Sequence, residues 1–272
     1  DIHAGKDIFD TAQLKSDMKN CETVIHLAAI PHPFLKNLKE SDYFHLNVEG
    51  SKKVIDACLE TGVNRFIYAS SGCVYGFWGN NSKINKFPID ENNYIPSINE
   101  GNSPYGISKN MVENYLKDLT SKNKKFLAIS LRMEGPGGKG TRVEWINGLH
   151  NLDNRASVYT CPAYHFFSEI SKENLWQVFE LCLISNLNEN NFEIFNVGNE
   201  YIHWSIDVQS WIKKNYPDIL NNTKGNQALY SIEKAKKILK YRPYPVDDCF
   251  LVRENIEDFY LYQNYLGKIG KP

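Results

Sequence analysis

Apolar residues in the first half of the chain fall in short unbroken runs, separated by longer stretches in which they recur three and four residues apart. Thr23-Val-Ile-His-Leu-Ala-Ala29, Arg65-Phe-Ile-Tyr-Ala-Ser-Ser71 and Phe126-Leu-Ala-Ile-Ser-Leu-Arg132 are the runs. Such runs, without polar alternation, predict strands covered on both faces. Between the first two, residues from about Tyr43 to Thr61 offer Val48, Val54, Ile55, Ala57, Cys58 and Leu59 for burial on a helix, and Gly62 stops it. A second helix over about residues 104–121 precedes the third run. Alternation of this kind predicts βαβ units, a parallel sheet and an α/β fold, with right-handed crossovers placing helices on both faces. Ligands of such a sheet lie at the carboxyl ends of its strands. Ala28-Ala29, Ser70-Ser71 and Arg132 fall at those ends.

The polar stretch from Gly76 to Asn102 reads as a long loop able to border a site. After Arg132 the texture changes. Gly135-Pro-Gly-Gly-Lys-Gly140 is glycine-rich but lacks the spacing of a P-loop. Shorter elements follow: a helix near Glu144–His150, a strand near Ser157–Thr160, a helix over Lys172–Ile184 and a strand over Phe192–Val197. Helices are then expected near Ser205–Asn215, Ser231–Leu239 and Val246–Tyr262. This mixture predicts a smaller lobe over the carboxyl edge of the sheet.

Composition narrows the classes. The 272 residues are 42% hydrophobic and 23% charged, with a formal net charge of -1, so a binder of nucleic acid held by phosphate neutralisation is not expected. No apolar run approaches the roughly 20 residues of a membrane helix, and the opening Asp1-Ile-His-Ala-Gly-Lys-Asp7 is not a signal peptide, so a cytoplasmic location is expected. The six cysteines are dispersed without a C-x-x-C, which predicts buried reduced thiols. His26, His32 and His45 lack metal-ligand spacing, and no metal is expected.

The candidate chemistry lies in Ser103-Pro-Tyr-Gly-Ile-Ser-Lys109. On a helix, Tyr105 and Lys109 share one face a turn apart. An ammonium beside a phenol favours the phenolate, which equips a tyrosine for acid–base work near neutral pH. A surface pair at helical spacing would look the same. Ser71 suits either a reacting-oxygen ligand or a strand-end cap.

In its order and spacing of motifs the chain resembles the extended short-chain dehydrogenase/reductase family, in the epimerase/dehydratase branch typified by UDP-glucose 4-epimerase. The resemblance rests on Asp7-Ile8, His26-Leu-Ala-Ala29, Asn47-Val-Glu-Gly50, Ser70-Ser-Gly-Cys-Val-Tyr-Gly76, Ser103 to Lys109, and Ser231 to Pro243. It implies a Rossmann-like doubly wound sheet. Residues 1–132 would form a partial dinucleotide-binding domain. Residues 133–272 would be mainly a substrate lobe, with about 166–184 and 192–197 returning to the core sheet. It also implies NAD or NADP as cofactor, contacted by Asp7, Ile8, Leu27, Ala28, Ala29, Asn47, Ser70, Tyr105 and Lys109. Asp7 reads alternatively as a capping residue and Asn47 as a structural hydrogen bonder. His32 and Trp78 read as pocket or packing residues. Tyr105 would exchange a proton with a sugar hydroxyl or ketone, Lys109 would favour its phenolate and bind the nicotinamide ribose, and Ser71 would hold the reacting oxygen. The helices over about 43–61 and 104–121 would form a four-helix homodimer contact.

The pattern departs from the family in four places. The Gly-x-x-Gly-x-x-Gly turn that would hold the pyrophosphate is missing, as are the first two strands. The expectation is that residues 1–272 bind NAD poorly, as a piece of a longer enzyme or as a truncated non-catalytic interaction protein. Gly72-Cys73 replaces the Asp-Glu pair of the 4,6-dehydratases, which argues against dehydration. Met133-Glu-Gly-Pro136 and Tyr164-His-Phe-Phe167 replace segments that contact a sugar nucleotide. The expected activity is therefore an epimerase or oxidoreductase acting on a sugar or nucleotide-sugar, with a dehydrogenase or keto-reductase of a non-nucleotide sugar as the alternative.

Overall fold

The computed structural model describes residues 6–30, 38–76, 83–133, 136–137, 170–187, 191–201 and 207–244. In chain order the elements are α1 (Thr11–Asp17), β1 (Thr23–His26), α2 (Glu40–Tyr43), α3 (Ser51–Thr61), β2 (Arg65–Ser71), β3 (Lys86–Phe87), α4 (Pro104–Lys122), β4 (Leu127–Met133), β5 (Pro136–Gly137), β6 (Ile170–Ser171), α5 (Lys172–Ile184), β7 (Phe192–Val197), α6 (Val208–Asn215), β8 (Leu220–Asn221) and α7 (Glu233–Ile238). The helices expected near 144–150 and 246–262, the strand near 157–160, His32, Trp78 and Tyr164–Phe167 lie outside the described residues.

A four-stranded sheet runs in the order β1-β2-β4-β7. β1 and β2 are parallel, with Ile25 opposite Ile67 and His26 opposite Tyr68. The fold is the expected Rossmann-like parallel sheet with helices. The helices form where the sequence supplies their ends. Ser103 Oγ accepts the Gly106 N–H at 3.0 Å and Pro104 takes the first turn of α4. Gly62, at φ 83°, closes α3 with its N–H on the Cys58 carbonyl. Between α2 and α3 the chain continues as a wider π-helical stretch, Phe44–Gly50, so one helical segment spans what the sequence predicts from about Tyr43. α1 is not foreseen by the pattern; Asp10 starts it by accepting the Gln13 N–H at 3.0 Å.

The first strand is shorter than its apolar run. Pairing ends at His26, and the backbone beyond it is taken by Asn47, whose Oδ1 accepts the Ile30 N–H at 2.7 Å. β3 and β8 are also invisible to the pattern, because two-residue strands carry no periodicity.

The described residues fall into two compact units. The first holds those within Asp1–Lys83, Ile95–Arg132 and Cys182–Phe195, and the second those within Ile84–Tyr94, Met133–Leu181 and Asn196–Pro272. Ile84–Tyr94 belongs with the second unit because β3 pairs with β8 and Ile89 bridges Tyr230. In the first unit, Val54, Ile55 and Cys58 of α3, Phe66 and Tyr68 of β2, Val112 and Leu116 of α4, and Phe126 and Ala128 form one apolar cluster. Removing such side chains from water is the main stabilising contribution, about 25 cal/mol per Å² of apolar surface. Arg65 ties Cys182–Leu187 to this unit by donating to the carbonyl of Ser185 at 2.9 Å.

Cys58 and Cys182 are buried as expected, and burial pushes both thiols up to about 12, which leaves them unreactive. Cys21 departs from that expectation: it sits in the exposed turn after α1. Cys161 and Cys249 lie outside the described residues. No helix among the described residues is long and apolar enough to cross a membrane.

His26 is sealed into the sheet. The Ser51 hydroxyl donates to the Asn47 carbonyl at 2.5 Å, so it accepts from His26 Nε2–H at 2.9 Å, which places the ring proton of the neutral imidazole on Nε2. Burial, with the charge of Lys109 behind it, holds His26 down to about 3 from an ordinary 6.5. Between those values the unfolded chain binds a proton that the folded protein refuses, so stability is present above pH 6.5 and is lost as pH falls towards 3. His26→Gln should therefore flatten the acid limb of thermal stability, removing about 3 kcal/mol of the loss between pH 7 and pH 4. Parallel Tm–pH curves for the two proteins would contradict this.

Candidate active site

α4 presents Tyr105, Gly106, Ser108, Lys109, Val112, Glu113, Leu116 and Thr120 to the interior. The spacing is that of a buried helical face, yet besides Tyr105 it carries two charged chains, Lys109 and Glu113, where an apolar stripe is normal. Both ends of the pattern have identifiable partners in the first unit.

Lys109 is 3% exposed, and its Nζ donates to the Ala69 carbonyl at 2.8 Å. The same nitrogen lies 4.9 Å from the centroid of the Tyr68 ring and 5.8 Å from that of Tyr105. Burial pulls Lys109 down to about 8, against the opposing pull of Glu113 and Cys73. Tyr105 is buried against Cys73, Tyr43 and Ile30, with its ring edge-on to Tyr43 at 6.4 Å.

Glu113, one turn beyond Lys109, is a buried carboxylate with a full set of donors. Ser70 Oγ donates at 2.7 Å, Ser130 Oγ at 3.0 Å, and Arg132 through Nε at 3.0 Å and Nη2 at 2.7 Å. Arg132 Nη1 continues to the Tyr75 hydroxyl at 2.9 Å. Burial alone would pull Arg132 down; the Glu113 charge and hydrogen bonds outweigh it and hold the guanidinium charged.

Ser71 ends β2, and its Oγ accepts the Cys73 N–H at 3.1 Å, capping the 3₁₀ turn Gly72–Tyr75. Its hydroxyl hydrogen remains for an acceptor. The cap and the reacting-oxygen readings are thus compatible. Gly106 explains the residue between Tyr105 and Lys109. A Cβ there would meet the Cys73 carbonyl oxygen at 2.3 Å and Asn102 Oδ1 at 2.5 Å, so only glycine lets α4 approach the turn.

The other expected residues are placed as follows. Leu27 and Ala28 are exposed just beyond β1, and Ala29 is half-buried. Asn47 is buried, donating to Ser108 Oγ at 3.0 Å and accepting from Ile30. Ser108 in turn donates to the Tyr105 carbonyl at 2.7 Å, so Asn47 braces α4. Asp7 is exposed and caps its own turn by accepting the Phe9 N–H at 3.0 Å. Ile8 lies on Gly50, where an added Cβ would meet its Cδ1 at 2.3 Å. The sequence reading missed Glu113, Tyr75 and Gly106. The first had a signal: Tyr105, Lys109 and Glu113 recur at intervals of four.

The family profile described as NAD dependent epimerase/dehydratase family matches residues 4–152. The chain belongs to this family. It is 32% identical to the UDP-glucose 4-epimerase of Erwinia amylovora over 150 residues, covering 53% of this chain and 42% of that protein. The chain thus spans less than half the length of that relative. Over a longer stretch it is 29% identical to the dTDP-4-dehydro-6-deoxyglucose reductase of Escherichia coli, 254 residues that cover 84% of this chain and 72% of that protein. Among solved structures, MoeE5 in complex with UDP-glucose and NAD is similar with a TM-score of 0.63 at 17% identity, covering 97% of this chain and 84% of that chain. The UDP-glucuronic acid 4-epimerase of Bacillus cereus in complex with NAD gives 0.60 at 20% identity, covering 96% and 80%. At these identities the structures establish the fold.

The family is described as NAD-dependent, and a buried ammonium with donors to spare is chemically able to meet the hydroxyls of such a cofactor. The Lys109 ammonium has three donors, of which the Ala69 carbonyl takes one. Its charge is felt at His26, the last residue of β1, and the apolar Leu27, 59% exposed, follows directly.

Gly106→Ala should displace the start of α4 from the Cys73 turn and lower stability by about 1–3 kcal/mol, the usual scale of overpacking. Denaturant unfolding reads it directly; a midpoint equal to that of the parent protein would show that the turn yields.

Proposed function

We propose that the chain carries the acid–base machinery of an NAD-dependent enzyme acting on a nucleotide-sugar, with Tyr105 as general acid–base, Lys109 as its electrostatic partner and Ser71 as the ligand of the reacting oxygen. The observation that carries this reading is the Lys109 ammonium, buried under the Tyr105 ring at 5.8 Å and pinned to the strand that ends in Ser71. NAD, when bound, supplies the hydride acceptor and donor. Tyr105 takes the proton from the sugar hydroxyl or returns it to the ketone. Lys109 favours the phenolate of Tyr105 and offers its remaining donors to the ribose. The Ser71 hydroxyl, braced through the Cys73 N–H, donates to the oxygen on which the proton moves. The relatives support a nucleotide-sugar as substrate class, since the similar epimerases and the reductase are named for UDP- and dTDP-sugars.

Two outcomes of this chemistry are separable. An epimerase returns the hydride to the sugar and turns over on catalytic NAD, whereas a reductase consumes reduced cofactor mole for mole. The likeness to the reductase over 84% of the chain favours testing the second alongside the first.

A homodimer through α3 and α4 belongs to the same proposal. Tyr115 of α4 reaches Asp56 of α3 at 3.5 Å and lies under Lys52, so the two helices stand side by side as such a contact needs. A monomeric mass by light scattering at micromolar concentration would remove it.

In the full-length enzyme, Tyr105→Phe should lower kcat by about 10²–10⁴-fold, the scale of a lost acid–base group, with little change in KM. Turnover within twofold of the parent enzyme would overturn the assignment.

A further inference from the structure

Glu113 has no part in the chemistry above, yet it occupies the most constrained position near it. It stands four residues after Lys109 and eight after Tyr105 on the buried face of α4. Residues four apart on a helix have Cβ atoms about 5–6 Å apart. Lys109 and Glu113 also grip consecutive residues of β2: the lysine holds the Ala69 carbonyl and the carboxylate holds the Ser70 hydroxyl. Through Arg132, Glu113 further fixes the Tyr75 hydroxyl, at the far end of the turn that Ser71 opens. One side chain therefore sets the helix bearing Tyr105 and Lys109 against the strand end and turn bearing Ser71.

We propose that Glu113 is the positioning residue of this site, fixing Lys109 against the end of β2 and supplying the buried negative charge that the lysine faces. The inference rests on the acid–base reading given above and assigns Glu113 no contact with substrate or cofactor.

The groups facing Lys109 make the sign of the effect definite. They are His26 from β1, Tyr68 from β2, Cys73 from the turn, and Tyr105 and Glu113 from α4 itself. His26 is held neutral, and Tyr68 is pushed up by burial, so neither carries charge near pH 7. The carboxylate of Glu113 is left as the main opponent of burial. Its loss lets burial pull Lys109 below about 8, and the ammonium that Tyr105 needs is then lost at a lower pH.

The test is the titration of Lys109 Nζ in ligand-free protein, followed by NMR of ¹⁵N-lysine-labelled chain and assigned with Lys109→Met. Glu113→Gln keeps the shape of the side chain and removes its charge. Its Lys109 midpoint should fall by about one pH unit or more, and Glu113→Asp, which keeps the charge, should restore most of the difference. Because Glu113→Gln leaves Arg132 unmatched, the paired substitution Glu113→Gln with Arg132→Gln is titrated as well; it removes a positive charge with the negative one, so a smaller fall than in Glu113→Gln alone is expected. In turnover, Glu113→Gln should move the alkaline limb of the kcat–pH profile down by the same interval and leave KM within about twofold. A Lys109 midpoint unchanged in folded Glu113→Gln, or a double variant that falls further than Glu113→Gln, would overturn the proposal. The titration needs no cofactor. Failure of Tyr105→Phe to lower turnover would therefore sink the acid–base reading while leaving the Glu113 result to stand or fall separately.

Discussion

A carboxylate sealed from water can persist only where donors replace its hydration, and Glu113 meets that condition with two hydroxyls and a two-pronged guanidinium. The partners come from the ends of two strands, Ser70 on β2 and Ser130 and Arg132 on β4. None can move away without stranding a buried charge, an error of about 3–5 kcal/mol. The relative placement of β2, β4 and α4 at their functional ends is thus set by electrostatics, whereas the apolar cluster around Ile55, Phe66 and Leu116 supplies bulk stability. Apolar packing tolerates small slips in register. A hydrogen-bonded ion pair does not.

Around that anchor the same segments are braced by contacts of different kinds. Asn47 links the chain after β1 to Ser108, and Ser108 to the Tyr105 carbonyl. Gly106 lets the helix start lie on the Cys73 carbonyl. Ser71 caps the turn from below. Each fixes one end of the Tyr105–Lys109 helix or of the strand beside it, so that hydrogen bonds, close approach and capping act on the same few residues.

The elements legible in the sequence are those whose burial has a period. β2, α5 and β7 fall where their apolar runs lie, and α4 starts at its Ser-Pro signal. The elements that were not legible owe their existence to distant partners: β3 to β8, across more than a hundred residues, and the early end of β1 to Asn47. In the site, Tyr105, Lys109 and Ser71 stood out because their residue types announce chemistry. Glu113 did not, since a glutamate on a helix is ordinarily a solvated face. Its burial follows from Arg132 and two serines that only the folded sheet brings to it. The interval of four from Tyr105 to Lys109 to Glu113 was the trace it left. On a stripe that Val112, Leu116 and Thr120 mark as interior, that interval places a second charge in the core.

In the proposed chemistry, Tyr105, Lys109 and Ser71 would move one proton and hold one oxygen, whichever direction the hydride travels. Those demands are equal for an epimerase and a reductase, so the three side chains cannot distinguish them. What differs is whether the ketone stays to be reduced from its other face, which depends on how firmly the rest of the sugar nucleotide is held and how freely its ring can turn. Residues that grip the substrate away from the reacting carbon therefore carry the choice. The departures expected from the family resemblance, at Gly72-Cys73, Met133–Pro136 and Tyr164–Phe167, are the first segments in which to seek such residues. On the proposed chemistry the acid–base pair with its buried carboxylate would serve either reaction, and the choice between them would lie with residues that hold the rest of the substrate.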